Sequence, residues 1–398
     1  MSKETFSPWP SFSAEEIQAV TDVLSSNKVN YWTGDNCRQF EDEFARFVGC
    51  EYAIAVSNGT TALDLALLAL GVGDGDEVIV TSRTFLASVS SIINARAIPV
   101  FADVSLDTQN INSDSINEVI TKKTKAIMCV HLAGWPCDMD PIMHLAKKHE
   151  LVVIEDCAQA HGAQYKGQSV GSIGHVGAWS FCQDKIMTTG GEGGMVTTND
   201  KKLWSHMWSH KDHGKSWEAV FEREHPPGYR WVHESFGTNW RMTEMQAAIG
   251  RIQLKCLKDW NTMRLANANA IWKVANDLKG MRVPRLNCFG CAGECNDSKG
   301  CTHGAYKCYV FVEGSERDRN KILSGIKQRG VPCFPGSCSE VYLEKAFDRT
   351  FFRPKKRLPN AKRLGETSLM FLCHPTLTKY EIQKTCAALV GVVSEHFR

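Results

Sequence analysis

Residues 151–157 read LVVIEDC, a run of apolar residues that contains two acids near its end. Polar and apolar residues do not alternate in its apolar part, so a strand formed there needs apolar cover on both faces, as in a parallel sheet. Six other short runs have a β-like composition, and several are apolar almost throughout. The seven runs are AIAVSN (53–58), DEVIVTS (76–82), IPVFAD (98–103), AIMCVHL (126–132), LVVIEDC (151–157), AWSFC (178–182) and GGMVTTN (193–199).

Helix-like stretches lie between most of these runs, for example TTALDLALLAL (60–70) and PIMHLAKKHE (141–150). Strands that alternate with helices form βαβ units, in which the strands are parallel and the helices cover the sheet. The sequence therefore predicts an α/β fold with a seven-stranded, mainly parallel sheet and helices on both faces. The last two runs are joined by a glycine-rich turn instead of a helix.

The chain divides into three predicted parts. Residues 1–15 form an N-terminal arm, 16–265 a large domain, and 266–398 a smaller C-terminal α+β domain. A long helix over about 243–280 bridges the two domains. A first helix begins near Ala14, because Ser13 and Glu16 have the spacing of a capping box.

The composition is that of an ordinary globular protein. Of 398 residues, 43% are hydrophobic and 23% are charged, and the formal net charge is +2, which argues against nucleic acid or a membrane surface as a partner. The N-terminus lacks the apolar segment of an export signal, so we expect a cytoplasmic protein. The sixteen cysteines are accordingly expected to be reduced.

Three features that suit ligand binding or catalysis fall at the carboxyl ends of predicted strands, where open α/β sheets bind ligands. Gly59, Thr60 and Thr61 open a helix, whose free N–H groups suit an anion; an ordinary capped turn is the alternative. Asp156 ends an apolar strand and is costly to bury without a cation, although it also fits a helix N-cap. Lys185 begins the glycine-rich turn, where a surface lysine is the alternative.

Together these features match what pyridoxal phosphate requires. The cofactor needs an anion site for its phosphate, a carboxylate that keeps its pyridine nitrogen protonated, and an amine for a Schiff base. The joint occurrence of all three at the ends of strands favours this interpretation over three separate structural explanations.

The sequence also resembles the DegT/DnrJ/EryC1/StrS family of sugar aminotransferases. The motifs that carry the resemblance are SNGTTALDLAL (57–67), TSRTFLAS (81–88), EDCAQAHGA (155–163), SFCQDKIMTTGGEGGMV (180–196) and GTNWRMTEMQAAIGRIQL (237–254). The resemblance implies a fold-type-I transferase, similar to aspartate aminotransferase. It also implies a homodimer with active sites shared between the subunits.

The resemblance assigns roles to the matching residues. Lys185 carries pyridoxal 5′-phosphate as a Schiff base, Asp156 pairs with the pyridinium nitrogen, and Gln159 bonds near the O3′ atom. The remaining cofactor contacts fall into three groups: Gly59, Thr60, Thr61 and Ser180 at the phosphate, Phe85 stacked on the ring, and Asn239 reaching in from the partner subunit.

The resulting functional hypothesis is a transaminase that moves an amino group from glutamate to a nucleotide-linked keto-deoxy sugar, for a surface polysaccharide or glycan. A related subclass that dehydrates its sugar has histidine at the lysine position, so Lys185 favours transamination. Amination of a cyclitol or another small ketone is one alternative. A non-catalytic regulator that binds the cofactor is another.

Weaker signals concern the substrate. Lys211 and His213 lie in SHKDHGKS (209–216), a loop that the resemblance places near the substrate of the neighbouring subunit; a solvated charged loop is the alternative. Tyr31, Trp32 and Arg241 are further substrate candidates. Asp184, next to the lysine, is either a cap or a charge that tunes Lys185.

The stretch at 288–308 is rich in cysteine and departs from the family pattern. Cys288 and Cys291 have the C-x-x-C spacing of a zinc site. They lack a second matching pair, so a thiol-rich insertion without metal is predicted, with zinc as the alternative.

Overall fold

The computed structural model describes residues 6–284 and 300–397. The strands are β1 (Tyr52–Val56), β2 (Glu77–Thr81), β3 (Ile98–Ala102), β4 (Thr124–Val130), β5 (Val152–Asp156), β6 (Gln164–Tyr165), β7 (Gln168–Ser169), β8 (Val176–Ser180), β9 (Gly194–Thr198), β10 (Met281–Arg282), β11 (Cys308–Val312), β12 (Cys333–Phe334) and β13 (Ser368–Phe371). The helices are α1 (Ala14–Ser26), α2 (Asn36–Val48), α3 (Gly59–Ala69), α4 (Ala87–Asn94), α5 (Ser113–Asn117), α6 (Met139–Lys148), α7 (Lys201–Lys211), α8 (Trp217–Phe221), α9 (Glu244–Asn276), α10 (Glu316–Gln328), α11 (Pro359–Thr367) and α12 (Lys379–His396).

The large sheet confirms the predicted fold class. Its seven strands have the order β1-β9-β8-β5-β4-β2-β3, and they coincide, within a few residues at each end, with the seven runs identified in the sequence. β9 is antiparallel to both of its neighbours, and the other pairs are parallel. The antiparallel step follows from the glycine-rich turn after Lys185, where Gly190 and Gly191 have φ values of 85° and 126°.

Alternate residues of the central strands enter two different apolar clusters. In β4, Met128 packs with the cluster around Phe44 and Trp179, whereas Ile127 packs with the cluster around Ile142. Because successive side chains of a strand point to opposite faces, both faces of the sheet are covered. This explains why the sequence of these strands is continuously apolar.

Helix α9 connects the two ends of the molecule. Its first half packs in the core of the large sheet, whereas Ala268 and Ile271 pack in a separate cluster beneath the small sheet. That antiparallel sheet has the order β10-β11-β13-β12. The helix, Glu244–Asn276, lies within the stretch of about 243–280 expected to be helical, and the division of the chain into domains stays a prediction.

The N-terminal arm lies against the rest of the chain before α1 begins. Ser13 and Glu16 form the predicted capping box at the start of α1. Ahead of it, the Trp9 ring meets Trp260 edge-on, and the Ser7 backbone N–H donates to the carboxylate of Glu381. The arm therefore touches both α9 and α12. Within the two described ranges, no helix combines the length and apolar character that a membrane crossing needs.

Two glycines allow the close approach of α3 to the sheet. A Cβ on Gly194 in β9 would lie 2.3 Å from the carbonyl oxygen of Asn58, and a Cβ on Gly59 would lie 2.5 Å from the Cβ atom of Ser180. Real Cβ atoms do not approach other atoms so closely. Any larger residue at either position must therefore push the start of α3 away from β8 and β9.

We expect Gly194→Ala to lower the free energy of unfolding by about 1–3 kcal/mol, because the added methyl group meets a backbone atom that cannot rotate aside. Gly73→Ala is the matched control, since a Cβ there meets nothing within 4 Å. Urea denaturation of both variants measures the difference. Equal stabilities would show that the contact between α3 and β9 is looser than the structure indicates.

Candidate active site

A cavity of about 870 Å³, the main cavity, opens where β5 and β8 end and α3 begins. Its walls come from the large sheet and from the small domain. Eight residues predicted to contact the cofactor line it, namely Gly59, Thr60, Thr61, Phe85, Asp156, Gln159, Ser180 and Lys185. The structure thus brings together side chains that are up to 126 residues apart in the sequence.

The N-terminus of α3 forms the part of the cavity that suits an anion. The Asn58 side chain accepts the Thr61 N–H at 2.9 Å, and the Thr61 hydroxyl donates back to the Asn58 carbonyl oxygen at 2.7 Å. Because this cap occupies Thr61, the N–H groups of Gly59 and Thr60 are the donors left for a ligand. Ser180 lies directly against Gly59 and completes this wall.

Asp156 is a buried carboxylate at the wall of the cavity. Its Oδ2 atom accepts the Ser88 hydroxyl at 2.8 Å, and its Oδ1 atom accepts the Ala158 N–H at 3.1 Å. Burial raises the pKa of Asp156, while these two donors and the charge of Lys185 oppose the rise. A buried carboxylate facing a cavity is most stable with a cationic donor, as a protonated pyridine nitrogen would provide.

Lys185 is surrounded by polar contacts from three parts of the chain. Its Nζ lies 5.1 Å from the ring centre of Tyr306, and its carbonyl oxygen accepts the Trp9 indole N–H at 2.8 Å. Asp184, the next residue, accepts the Tyr306 hydroxyl and lies 3.9 Å from the Lys307 amine.

The charge of Asp184 is stabilised in this position. Burial alone would raise its pKa, but Lys185, the Tyr306 hydroxyl and Lys307 hold the pKa below its usual value. An ionised carboxylate therefore lies next to the lysine, and both roles named for Asp184, a cap or a charge that tunes Lys185, stay predictions.

Some residues of the cavity were not identified from the sequence. Ser88 lies three residues after Phe85, in the first turn of α4, so its nearness to TSRTFLAS was an available signal. Tyr306 and Lys307 enter from the small domain, and no local pattern links them to Lys185. Trp9 reaches the same place from the N-terminal arm.

The substrate candidates outside the cavity have other surroundings in this chain. Arg241 binds the Asp212 carboxylate at 2.7 Å, and the Lys215 amine lies 3.9 Å from the Trp32 ring centre. The backbones of Asp212 and Asn239 pair with each other, which ties the loop of His213 to the segment before α9. Contact of Asn239, Arg241, His213 and Trp32 with a neighbouring subunit's substrate stays a prediction.

Tyr31 and Lys211 require a correction, because both are buried within their own chain. The Tyr31 hydroxyl donates to Glu41 and accepts the Trp208 indole N–H at 3.0 Å. The Lys211 amine lies 3.3 Å from the Tyr31 ring centre, and burial lowers the pKa of this amine to about 8. Burial argues against direct substrate contact by either residue; they build the core beneath the loop instead.

Glu155, next to Asp156, faces away from the cavity into a polar cluster. Its carboxylate accepts the backbone N–H groups of Gly171, Ile173 and Gly174 and the Nε2–H of His131 at 2.9 Å. The Nδ1 atom of His131 accepts a backbone N–H, so Nε2 carries the proton. Although burial raises it, the pKa of Glu155 is held low by these donors.

This cluster also contains Cys157, and its ligand atoms lie close enough for a metal ion. The oxygens of Glu155 and both nitrogens of His131 are already hydrogen-bonded, however, which favours a structural role. The cysteines 288, 291 and 295 of the predicted thiol-rich insertion lie outside the described residues. His303, from the same stretch, is buried and accepts the Ala305 N–H at 2.8 Å.

Comparison with known proteins shows the family of the chain. The chain matches the model of the DegT/DnrJ/EryC1/StrS aminotransferase family over residues 10–390. It is 47% identical over 372 residues to a GDP-perosamine synthase of Caulobacter vibrioides, with 89% of each chain covered. It is 38% identical over 370 residues to the dTDP-3-amino-3,4,6-trideoxy-alpha-D-glucose transaminase of Streptomyces venezuelae, covering 92% of this chain and 90% of the relative.

The crystal structure of an aminotransferase from Psychrobacter cryohalolentis is similar over nearly the whole chain. The TM-score is 0.94 and the sequence identity 62%, with 99% of this chain and 100% of that chain covered. Both the large and the small sheet therefore have counterparts in a solved aminotransferase.

We expect Glu155→Gln to reduce the free energy of unfolding by about 3–5 kcal/mol, because the amide offers one oxygen to four donors and turns its own N–H₂ toward the others. The lowered pKa means that Glu155 stabilises the fold above its unfolded-state pKa of about 4.3 and loses this contribution as the pH falls. The difference between variant and parent should therefore shrink in acid.

Urea denaturation at several pH values measures this effect. Glu51→Gln, at an exposed glutamate beside β1, is the control and should change stability by less than about 0.5 kcal/mol. A Glu155→Gln variant as stable as the parent at neutral pH would contradict the assignment of Glu155 as an ionised anchor.

Proposed function

Because the chain belongs to the DegT/DnrJ/EryC1/StrS aminotransferase family, whose members depend on pyridoxal phosphate, we propose that it aminates a nucleotide-linked keto-deoxy sugar with glutamate as donor. The main support from the structure is the presence of Lys185, Asp156 and the start of α3 in one cavity. The two nucleotide-sugar enzymes among its relatives support the class of acceptor. Production of a surface polysaccharide or glycan is the proposed setting.

The residues of the cavity fit pyridoxal phosphate. The N–H groups of Gly59 and Thr60, with Ser180, would hold its phosphate, and the buried Asp156 would pair with its ring nitrogen. Lys185 is the amine within reach of the same cavity, and it would hold the cofactor covalently. When bound, the cofactor supplies an electron sink for a carbanion next to nitrogen.

Lys185 is also the proposed proton carrier. With its amine free, it would take the proton from the Cα atom of glutamate. In the second half of the reaction it would deliver a proton to the sugar carbon that receives the nitrogen. Asp156 would keep the cofactor nitrogen protonated, and the Ser88 hydroxyl orients Asp156 and opposes the rise in its pKa that burial causes. Asp184 places a negative charge beside Lys185.

Glutamate-dependent amination of a panel of substrates tests this function. The panel contains UDP-, GDP- and dTDP-linked keto-deoxy sugars and a keto cyclitol, and product formation is followed by mass spectrometry. We expect the parent protein to show a yellow absorption band that glutamate bleaches, and to aminate a nucleotide sugar. Amination of the cyclitol alone would favour the small-ketone alternative, and a stable band without any product would favour the regulator.

Lys185→Ala should remove the yellow band and reduce turnover by at least about 10²–10⁴-fold, because both covalent attachment and proton transfer are lost. The exposed Lys202, in the first turn of α7, provides the control Lys202→Ala, which should behave like the parent. Circular dichroism verifies that both variants are folded. Full turnover by Lys185→Ala would overturn the assignment.

We further infer that two copies of the chain associate. Between α8 and α9, the side chains of Tyr229, Trp231 and Phe236 are 73%, 80% and 100% exposed. Phe85, at the main cavity, is 72% exposed. Aromatic side chains that are this exposed and this close in sequence are typical of an interface, and the segment leads directly to Asn239, the predicted contribution of the partner.

Replacing Trp231 and Phe236 together by serine should weaken the homodimer at least about tenfold, because truncated aromatic residues often dominate association. Analytical ultracentrifugation measures the dissociation constant. Tyr380→Ser, at a 60% exposed aromatic residue of α12, is the control. A monomeric parent protein would contradict the proposed homodimer.

A further inference from the structure

A second, smaller cavity of about 90 Å³, the side cavity, lies next to the main cavity. The two cavities share four lining residues, which are Asp184, Tyr306, Lys307 and Leu372. Trp9, Arg264, Cys373 and His374 complete the wall of the side cavity. It is therefore bounded by the N-terminal arm, by α9 and by the small domain. None of the roles proposed above uses it.

Arg264 is the unusual group in this wall. Its side chain is 1% exposed, yet neither Nε nor Nη2 has an acceptor within residues 6–284 and 300–397. Its guanidinium stacks on the Trp9 ring at 4.7 Å from the ring centre. Burial lowers the pKa of Arg264 to about 10, so the group is charged at neutral pH. A buried charge without a partner is strongly unfavourable.

Another arginine of the same helix shows the pairing that Arg264 lacks. Arg251 binds the Glu43 carboxylate with Nε and Nη2, at 3.0 and 2.8 Å. In Arg264 the same two nitrogens, which form one edge of the guanidinium, have no partner in the part of the chain that the structure describes. That edge matches the two oxygens of a carboxylate.

The charges around the side cavity also favour an anion. Lys307 adds a second cation, whereas Asp184 is the one carboxylate among the described residues that line the cavity. Asp184 is already engaged by Tyr306 and lies near Lys185 and Lys307. Burial lowers the pKa of His374 to about 4, so this imidazole is neutral at neutral pH. The wall thus carries an excess of positive charge.

We propose that the side cavity binds a carboxylate group through Arg264. A volume of 90 Å³ corresponds to about three water molecules, enough for a carboxylate but too small for a sugar ring. The carboxylate belongs either to the amino donor bound in the adjoining main cavity or to a small free acid. The first source rests on the proposed function, and the second does not.

Binding is tested with acetate and glutarate, which have carboxylates but no amino group to transfer. Their effect on the melting temperature of the purified protein gives the dissociation constant, since a ligand of the folded state raises its stability. Sodium chloride at equal ionic strength is the reference. We expect carboxylates to stabilise the parent protein beyond chloride, and Arg264→Gln to weaken their binding by about 30-fold or more.

Two further variants make this result specific. Arg264→Lys keeps the charge but loses the two-nitrogen edge, so it should bind carboxylate with intermediate affinity; it also serves as the test if Arg264→Gln does not fold. Arg251→Gln, on the same helix but paired with Glu43, should bind like the parent. Equal stabilisation by chloride and carboxylate, or unchanged affinity in a folded Arg264 variant, overturns the proposal.

Glutamate-induced bleaching of the yellow band, without any sugar, distinguishes the two sources. If acetate raises the glutamate concentration needed for half bleaching in the parent, and Arg264→Lys raises it without acetate, the donor's carboxylate occupies the site. Stabilisation by acetate without competition identifies a free acid. Because the melting experiment needs no turnover, a failure of the proposed sugar chemistry leaves the test of the carboxylate site intact.

Discussion

The burial of two consecutive acids at the end of β5 is the constraint on which the active site depends. Successive residues of a strand face opposite sides of the sheet, so Glu155 and Asp156 have different environments although they are neighbours. Glu155 receives four N–H donors and is satisfied inside the protein. Asp156 accepts hydrogen bonds from the Ser88 hydroxyl and the Ala158 N–H, but its carboxylate lies at the wall of the main cavity. The first acid anchors the strand, and the second is left to interact with a cationic ligand.

The close approach of α3 to the sheet adds the second half of the site. Gly59 and Gly194 allow the start of α3 to lie against β8 and β9, one strand away from Asp156. The positive end of the helix and the buried carboxylate thereby occupy the same cavity at a fixed separation. A ligand that carries a phosphate at one end and a cation at the other fits such an arrangement without rearrangement of the backbone.

The sequence predicted the parts of this site that depend on local patterns. The seven strands were recognisable because β4, β5 and β8 are covered on both faces, and Asp156 and Lys185 were recognisable as polar residues at the ends of apolar runs. Contacts between distant segments were not predictable in this way. Tyr306 and Lys307 come from the small domain, and Lys211, apparently a surface lysine, is buried against Tyr31 because α7 packs over the core.

The charges that surround Lys185 explain why anions suit both cavities. Asp156 and Asp184 are two carboxylates on which the charge of Lys185 acts, and each already accepts from hydroxyl or N–H donors. The positive groups are Lys185, Lys307, Arg264 and the free N–H groups of α3, and among the residues that the structure describes none accepts from Nε or Nη2 of Arg264. The excess positive charge lies in the protein interior, where the dielectric constant is low. A charge there attracts an anion more strongly than a surface charge does. The proposed donor, which carries a carboxylate, and the proposed acceptor, which carries phosphates, would therefore meet the same electrostatic requirement.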